Sequence, residues 1–482
     1  MIRRGVTIQR VLGVMTMVFS ATMAPPILLS WWYGDGEIRH FVDTLLLTLG
    51  IGGMLWFPVR RARADLRVRD GFVVVALFWV ILGGLSSVPL HLSAHLDFTD
   101  AVFESFSGFT TTGATVIAHL EGLPPSILYY RQQLQWLGGM GIVLLAVAIL
   151  PMLGIGGMQL YRAETPGPMK DDKLTPRIRH TARTLWVLYL VLTAACALAY
   201  GLAGMGPFDA VVHSFSTVST GGFSPYDSSM AHFASPAIEW VAVVFMALGG
   251  MNFAVHFLIV QRRTLVPMWQ DHEARTYLIL LALVSLAVAA GLWAYGLYDI
   301  GDSLRMATFQ VVSLMTSTGF TSTFFAGWPN ILPLVLLLIT FIGGCAGSTA
   351  GGIKVVRIRL LYGQLGREFR QIMHPHGLVP LKLGGRIFPS RVVQAVWGFF
   401  ATYLIVFILL ILGMMATGVD QVTAFSTVAT CINNAGPALG AAAENFAGLN
   451  AGAKWLLCVA MLLGRLEIFT LLVLVSPSYW RG

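Results

Sequence analysis

Long apolar runs alternate with short polar segments along nearly the whole chain. A helix needs about 20 apolar residues to cross the ~30 Å of hydrocarbon in a bilayer. The runs predict ten such spans, two at the N-terminus and then four pairs: 8–32, 40–58, 71–92 with 126–150, 182–203 with 236–260, 275–297 with 330–361, and 392–416 with 452–475. Between the members of each pair lies an apolar segment too short to span, such as 99–107 or 208–216.

Each short segment ends in a Thr/Ser-rich or Asn-containing turn that closes on a glycine. The turns read SGFTTTGAT at 107–115, STVSTGGFS at 216–224, SLMTSTGFT at 313–321 and ATCINNAGP at 429–437. The second helix of each pair carries its own mark, which reads LGGMG at 137–141, LGGMN at 248–252, IGGCAG at 342–347 and LGRLE at 463–467. Two marks that recur in the same order predict fourfold pseudosymmetry.

The short segments begin near an aspartate that can cap a helix, which predicts re-entrant half-helices. Non-helical backbone is tolerated at membrane depth only where it faces protein or water, as it does in a pore lining. We therefore expect an all-α polytopic membrane protein with four span–half-helix–span repeats around a central pore and two extra N-terminal helices. The C-terminal, partly negative ends of the half-helices would then point toward an ion.

Composition and charge agree with a membrane protein of defined orientation. The chain is 56% hydrophobic and 11% charged, with a mean hydropathy of +0.74. Of the 31 Lys and Arg residues, 26 lie in alternate connections or at the termini, which places those connections and both termini in the cytoplasm. The net charge of +8 is thus mainly a topology signal, with anionic inner-leaflet lipid as a secondary partner and no argument for nucleic acid.

The connections that hold the glycine turns carry the opposite charge. They span 93–130, 205–239, 299–330 and 417–453, and they contain one basic residue, Arg305, against eleven acidic ones. The turns therefore enter from the outside, and a negative mouth concentrates cations. We divide the chain into an N-terminal unit with two helices and a cytoplasmic loop (1–70), followed by the four repeats with their preceding cytoplasmic segments (71–155, 156–262, 263–365 and 366–482).

The turns have the composition expected of a cation filter. An ion exchanges its hydration shell for main-chain carbonyls only if these all point inward, and glycine adopts the required left-handed conformations at least cost. Hydroxyl residues before the glycines add polar support, and asparagines replace them in the last turn. The candidate K⁺-filter residues are Thr111, Thr112, Gly113, Thr220, Gly221, Gly222, Ser317, Thr318, Gly319, Asn434, Ala435 and Gly436.

A glycine-rich stretch, FIGGCAGSTAGGIKVVR at 341–357, interrupts the second helix of the third repeat. A continuous helix across five glycines is disfavoured, and the stretch fails as a Walker A motif because no Ser/Thr follows Lys354. We interpret it as a loop below the filter that obstructs the pore, with close helix packing as the alternative. The candidate gate residues are Gly343, Gly344, Gly347, Ser348, Thr349, Gly351, Gly352, Lys354 and Arg465.

Arg465 stands in the middle of the last predicted span, where other repeats have glycine. An intramembrane arginine faces water or a partner, so it is either a barrier to cations or a structural pair. Glu467 is too close in sequence for easy helical pairing, which leaves Glu444 or the neighbouring asparagines 433 and 434 as expected partners. Glu104 and His213 occupy equivalent half-helix positions and are interpreted as packing or vestibule residues rather than ion ligands.

Taken with the repeat pattern, the segments TTTGA, GGCAGSTAGGIK and CINNAGP resemble the superfamily of K⁺ transporters that comprises Trk, Ktr and plant HKT proteins. The two extra N-terminal spans favour the TrkH/TrkG branch. The resemblance implies a dimeric K⁺-translocating subunit of the bacterial inner membrane, with a gate at 343–352 and Arg465 in the cavity. It also implies gating by a cytosolic ring of TrkA-type proteins that bind NAD(H) or adenine nucleotides and dock on the basic inner loops, of which 354–391 is the longest. Ala438 departs from the pattern, which has glycine there.

Other functions remain as alternatives. A K⁺/H⁺ or K⁺/Na⁺ symporter would use the same fold. A membrane-embedded enzyme is disfavoured because the spans lack clustered catalytic carboxylates or metal ligands, and a sugar or amino-acid carrier would show inverted two-unit repeats. The four cysteines are widely separated and indicate neither a disulfide framework nor a metal site. We expect no bound cofactor, with K⁺ as the transported ion at the filter.

Overall fold

A computed structural model describes residues 2–61, 70–144, 174–375, 379–383 and 386–480, and these residues are mostly helical. The helices are α1 (Ile2–Ser20), α2 (Ala24–Tyr33), α3 (Ile38–Trp56), α4 (Asp70–Leu85), α5 (Ser87–Ser93), α6 (Phe98–Phe109), α7 (Pro125–Leu144), α8 (Leu174–Leu202), α9 (Pro207–Val218), α10 (Pro236–Gly249), α11 (Phe253–Arg262), α12 (Val266–Gln270), α13 (His272–Ala294), α14 (Ile300–Met315), α15 (Leu332–Ile339), α16 (Val355–Met373), α17 (Ser390–Ala416), α18 (Gln421–Ile432), α19 (Ala451–Arg465), α20 (Phe469–Val475) and α21 (Pro477–Trp480).

Six continuous helical segments in the described part of the chain are long and apolar enough to cross a membrane. They are Gly5–Tyr33, Ile38–Val59, Asp70–Ser93, Ala182–Leu202, His272–Ala294 and Ser390–Ala416. They match the two predicted N-terminal spans and the first span of each predicted pair. The protein is therefore a predominantly helical, multi-span membrane protein, as the apolar pattern predicts.

The predicted second span of each pair is less regular than expected. Helices α10 and α11 meet at an angle of 100°, and α19 and α20 meet at 112°, so 236–260 and 452–475 are not straight crossings. Helices α15 and α16 are separated by the irregular segment 340–354. The breaks fall at the glycine-containing marks, where the backbone leaves the helix. The other second span, α7, is described only as far as Leu144.

The four half-helices are α6, α9, α14 and α18. The predicted aspartate caps are present in two of them, because Asp299 accepts a hydrogen bond from the Asp302 amide at the start of α14 and Asp420 accepts one from the Thr423 amide at the start of α18. Hydrogen bonds from Thr423 hold the pKa of Asp420 below its ordinary value. Asp209 instead lies in the first turn of α9, behind Gly206 at the N-cap.

The N-terminal helices pack against the outside of the first repeat. Glycines bring α1 and α3 together, since a Cβ atom added at Gly13 would lie 2.7 Å from the Trp56 nitrogen. The rings of Phe19 and Trp79 lie 6.1 and 4.7 Å from the ring of Phe109, the last residue of α6. These aromatic contacts fix the end of the first half-helix, from which the first glycine turn departs.

Two details differ from the predicted all-α layout. A short antiparallel hairpin joins Lys382–Leu383 to Arg386–Ile387 in the long loop before α17. The predicted unit boundary after residue 365 falls inside α16, which continues to Met373. The boundary between 155 and 156, the segment after it and the C-terminal arginine at 481 lie outside the described residues.

Candidate functional site

The four glycine turns share one backbone conformation. In each turn, the second residue after the half-helix has a left-handed φ, which is 54° at Thr111, 53° at Thr220, 55° at Ser317 and 52° at Asn434. Two residues later, the glycine also has a positive φ, which is 80° at Gly113, 79° at Gly222, 85° at Gly319 and 89° at Gly436. Glycine is required at the second of these positions by backbone conformation, as the sequence predicts.

A common hydrogen bond ends every half-helix. The amide between the two left-handed residues donates to the carbonyl five residues earlier: Thr112 to Ser107, Gly221 to Ser216 and Thr318 to Ser313, each at 2.8 Å, and Ala435 to Thr430 at 2.9 Å. This is the six-residue bond of the Schellman motif, with a left-handed residue at C′. The partly negative C-terminal ends of all four half-helices therefore lie directly against the turns.

The turns contact one another in a closed ring. A Cβ atom added at each glycine would clash with a carbonyl oxygen of the next turn, at 2.3 Å from Gly221 for Gly113, 2.0 Å from Thr318 for Gly222, 2.2 Å from Ala435 for Gly319 and 2.7 Å from Thr112 for Gly436. The order is first to second, second to third, third to fourth and fourth to first. All twelve predicted filter residues therefore lie in one ring, and any side chain at its glycines would push the neighbouring turn away.

A cavity of about 620 Å³ lies against this ring and is lined by the four glycines and the segments that follow them. Asp227 and Glu444 are the acidic residues in its lining. Several other acids of the outer connections form ion pairs instead: Glu104 with Arg131, Asp100 with Lys454, and both Glu239 and Asp302 with Arg305. The mouth is therefore less negative than the count of acidic residues suggests.

Polar side chains behind the turns hold them in place. The Thr112 hydroxyl lies 2.8 Å from the hydroxyl of Thr110 and accepts a hydrogen bond from the Asn434 amide at 3.0 Å. The same Asn434 amide donates to the Met461 carbonyl, and Tyr403 donates to the Asn433 side chain at 2.8 Å. The asparagines of the fourth turn thus connect it to the first turn and to its own outer helices.

The glycine-rich segment 340–354 runs directly beneath the ring. The Gly351 amide donates to the Ser317 hydroxyl of the third turn at 2.5 Å, and a Cβ atom added at Gly351 would lie 2.0 Å from the carbonyl oxygen of Asn433. The Thr349 hydroxyl donates to the Val218 and Gly249 carbonyls, at 3.0 Å each. The segment therefore contacts the second, third and fourth repeats at once.

Glu273, a buried residue in the first turn of α13, anchors the middle of this segment and the start of the helix that follows it. One of its carboxylate oxygens, Oε1, accepts hydrogen bonds from the amides of Ala346 at 2.8 Å and Val356 at 3.2 Å. Backbone turns within the segment use positive φ at Gly343, Gly347, Gly352 and Lys354. The Lys354 ammonium donates to the carbonyl of Ala350. All the predicted gate residues from 343 to 354 belong to this one folded loop.

Arg465, at the end of α19, ties the loop to the first repeat. Its side chain is buried and donates to the Thr349 carbonyl at 2.9 Å and to the Gly138 carbonyl at 3.1 Å. The predicted partners, Glu444 and the asparagines, were therefore wrong. The sequence does not indicate that a loop of another repeat supplies a carbonyl acceptor to the Arg465 guanidinium. Glu467 pairs with Arg357 instead.

Glu104 and His213 are buried and fully engaged. Glu104 accepts two hydrogen bonds from Arg131, at 2.9 and 2.6 Å, and one from the Val116 amide at 3.0 Å. The two ring nitrogens of His213 lie 2.9 Å from the Asp209 carbonyl and 3.1 Å from the Ser224 hydroxyl. A neutral imidazole satisfies both contacts, with Nδ1 as donor and Nε2 as acceptor.

Sequence reasoning missed the polar cluster of α7. Arg131 lies within the predicted span 126–150 but received no role there; it is buried in the helix, where it also donates to the Ser224 carbonyl beyond the second turn and lies over the Phe223 ring. Gln135, four residues later, contacts the second turn itself. The segment YYRQQLQW within a predicted span was the available signal, since polar residues inside a span usually have a functional or structural partner.

The described residues contain no group of three or more His, Cys, Asp or Glu side chains suited to a metal ion. The four cysteines are free and buried.

Comparison with known proteins gives full-length matches. The family model for TrkH, a cation transport protein, matches residues 37–481. The chain is 53% identical to the Trk system potassium uptake protein TrkH of Halomonas elongata, over 98% of this chain and 99% of that protein. It is 49% identical to the protein of the same name from Escherichia coli K12, over the same shares. The crystal structure of the potassium transporter TrkH from Vibrio parahaemolyticus matches with a TM-score of 0.92 at 48% identity and covers all of both chains.

Proposed function

The chain belongs to the TrkH family of cation transport proteins, and we propose that it takes up K⁺ across the bacterial inner membrane through the centre of its four glycine turns. The observation that carries this proposal is the closed ring, in which each glycine lies against a carbonyl of the next turn. Rings of backbone carbonyls that replace the hydration shell of an ion are the general design of K⁺-selective filters. The names of the relatives, which are potassium uptake proteins, support K⁺ as the ion.

The twelve residues of the four turns form the filter in this proposal. Their glycines allow the turns to approach closely enough to share one axis, and the helix C-termini behind them favour a cation. The Thr112 hydroxyl and the Asn434 side-chain amide stabilise the ring in this proposal, because they already bond to each other. Acidic residues of the mouth, Asp227 and Glu444, raise the local cation concentration.

The loop at 343–354 and Arg465 form the gate. The loop backbone lies below the ring, where it contacts the second, third and fourth repeats, and Arg465 binds its Thr349 carbonyl. A buried guanidinium below a cation filter also opposes the passage of a cation by charge repulsion. Conduction then requires the loop and the arginine to move aside together.

A K⁺/H⁺ or K⁺/Na⁺ symporter on the same fold is the alternative. Proton coupling needs a titratable group that changes its protonation state along the ion path. Glu104 is held by Arg131, and His213 has both nitrogens bonded as a neutral ring, so neither is poised for this role. This observation favours a channel-like pathway, in which flux follows the K⁺ gradient alone.

We infer that the active assembly is larger than this chain. The relatives are named as parts of a Trk system, which fits a homodimer regulated by a cytosolic TrkA-type ring that binds NAD(H) or adenine nucleotides. The basic inner connection 354–391, which contains α16 and the hairpin, is the proposed docking region. Both termini are proposed to be cytoplasmic, in contact with anionic inner-leaflet lipid. No cofactor bound by this chain is part of the proposal, and K⁺ is its cargo.

Flux measurements on the purified chain in liposomes test the function. K⁺ and Na⁺ uptake are compared under an imposed K⁺ gradient, with and without a pH gradient, and reversal potentials are recorded in planar bilayers. Uptake that follows the K⁺ gradient with slower Na⁺ entry supports the proposal. Flux that requires a proton or Na⁺ gradient establishes the symporter, and equal K⁺ and Na⁺ flux contradicts a K⁺-selective filter.

A further inference from the structure

Gln135 is a buried glutamine of α7 that holds the second turn by two hydrogen bonds. Its side-chain Nε2 donates to the Gly221 carbonyl at 2.6 Å, and its Oε1 accepts from the Phe223 amide at 3.0 Å. The two bonds bracket Gly222, the ring glycine of that turn. One side-chain amide therefore fixes the peptide groups on both sides of Gly222, with a donor and an acceptor side by side as in the pairing of two β-strands.

The second turn lacks a side chain where Gln135 lies. The residue before the ring glycine is Thr112 in the first turn, Thr318 in the third and Ala435 in the fourth, but Gly221 in the second. A Cβ atom added at Gly221 would lie 2.5 Å from both Cδ and Oε1 of Gln135. The glutamine thus occupies the volume that the turn's own side chain takes in the other repeats.

The other repeats have no amide at this position of their second helix. When the helices are aligned on their shared marks, the residues equivalent to Gln135 are Met246, Thr340 and Met461. In the first and third turns, the threonine hydroxyl instead bonds within its own turn, 2.8 Å from Thr110 and 2.7 Å from Thr316. The second turn is therefore supported by a side chain of the first repeat instead of one of its own.

The carbonyl that Gln135 holds is part of the ring contact. Gly221 presents the carbonyl oxygen that lies 2.3 Å from the Cβ position of Gly113. A fixed hydrogen-bond donor sets the direction of this carbonyl and uses one of its two lone pairs. A filter separates K⁺ from Na⁺ through the position and the field strength of its carbonyls, so constraining one member of the ring changes the selectivity of the whole.

We propose that Gln135 is a specificity-determining positioning residue, which fixes the Gly221 carbonyl in the ring and thereby sets the preference for K⁺ over Na⁺. The inference rests on the proposed function of the ring. It adds that the four quadrants are unequal, with the second quadrant controlled from α7 of the first repeat.

The test is the K⁺/Na⁺ permeability ratio of the Gln135→Met variant, obtained from reversal potentials of the full-length protein in planar bilayers. Methionine has nearly the same length and is the native residue at the equivalent place in two repeats. We expect the ratio to fall by about three- to tenfold, the factor that corresponds to one net hydrogen bond. The ratio reports only on folded, conducting molecules, so a lower yield of folded protein does not change it.

Gln133→Leu is the matched control, because Gln133 is a buried glutamine of the same helix whose amide donates to the Thr22 carbonyl, away from the ring. Its ratio should equal that of the wild type. If Gln135→Met does not fold, Gln135→Asn withdraws the amide by one methylene and gives the same measurement. An unchanged ratio in the folded Gln135 variant, or an equal fall in the Gln133 control, overturns the inference.

The Gly222→Ser variant separates this inference from the proposed function. If Gly222→Ser lowers the ratio and the Gln135 variant does not, the ring is the filter and the role of Gln135 is wrong. If the wild type itself shows no K⁺ preference, the proposed function fails, and the positioning role fails with it.

Discussion

Thr111 and Thr220 are β-branched residues with a left-handed φ, which L-residues adopt at a cost of about 1–2 kcal/mol each. Such strain persists where the surrounding structure determines the backbone, often at functional sites. Here the amide of the next residue completes the same helix-ending hydrogen bond in all four turns. The same costly backbone conformation recurs with different side chains. This indicates that these positions matter for the direction of their backbone carbonyls rather than for their side chains.

Substitution of a ring glycine is expected to reduce ion selectivity. In Gly113→Ser, the new Cβ lies 2.3 Å from the Gly221 carbonyl at a φ of +80°, so the first two turns must separate. We expect the K⁺/Na⁺ permeability ratio to fall by about tenfold, equivalent to ~1.4 kcal/mol. Gly122→Ser is the control, because that glycine has no atoms within 4 Å of its Cβ position. Unchanged selectivity in Gly113→Ser would contradict the filter assignment.

Removal of the Arg465 side chain is expected to raise basal K⁺ flux. The guanidinium joins the Thr349 carbonyl of the loop to the Gly138 carbonyl of α7, and alanine releases both. Arg465→Lys separates the two ways in which the residue acts, because lysine keeps the charge but cannot bridge two carbonyls in the same fork geometry. If the lysine variant leaks K⁺, the bridge between the two carbonyls closes the pore. If it does not leak, the positive charge alone is sufficient for closure. Flux of the alanine variant no higher than wild type would exclude both.

At the scale of elements, the repeats could be predicted because the chain supplies its own comparison. Four turns that each close on a glycine predict one conformation, and the structure has the same pair of left-handed residues in each. The bends at the ends of α10 and α19 were not predicted, since glycine and leucine alone do not distinguish a close helix contact from a break. The hydrogen-bond partners of Arg465 and Gln135 were not predicted for another reason. In both cases the partners belong to a repeat other than that of the side chain.

One carboxylate oxygen of Glu273 accepts two backbone hydrogen bonds at the loop between α15 and α16, from Ala346 within the loop and from Val356 just after it. We therefore expect Glu273→Ala to loosen the loop and to raise basal K⁺ flux in liposomes by about fivefold or more, the factor for two backbone bonds that each contribute ~0.5–1.5 kcal/mol. Total yield and gel-filtration profile would show whether the variant remains folded.

Glu273→Gln is the matched control for the loop. Glutamine retains an Oε1 acceptor, so it can receive the amides of Ala346 and Val356 as the carboxylate does. Its basal flux should stay near that of the wild type. If the glutamine and alanine variants leak K⁺ equally, the negative charge of Glu273 is what keeps the pore closed, and the two backbone hydrogen bonds are not. If neither leaks, the loop does not depend on Glu273 for closure.

At the scale of the whole molecule, the ring is assembled by contacts between successive repeats. Arg131 of the first repeat donates to Ser224 of the second, and Glu239 of the second pairs with Arg305 of the third. The loop of the third repeat then lies against the second and the fourth. A ring also has to close between its first and last members, which are farthest apart in sequence.

That closure involves Lys454 of α19 and Asp100 of α6, whose Nζ and Oδ1 atoms lie 2.6 Å apart. The lysine is nearly buried, with 7% of its side chain exposed, and it also donates to the Ala447 carbonyl. We expect Lys454→Met or Asp100→Asn to lower the free energy of unfolding by about 1.5–3 kcal/mol each, as for hydrogen bonds to charged groups. Thermal unfolding of the detergent-solubilised protein measures this.

The double variant distinguishes closure of the ring from unrelated effects of the two changes. Because both substitutions remove the same contact, the double variant should be little less stable than either single one, whereas independent effects would add. Asp43→Asn is the control, since the Arg39–Asp43 pair is exposed and spans 3.8 Å within one helix, so its loss should cost less than about 1 kcal/mol. Additive losses at Lys454 and Asp100 would show that the first and fourth repeats are held together by their other contacts, such as the hydrogen bonds from Asn434 to Thr112 and from the Phe446 amide to the Thr115 carbonyl.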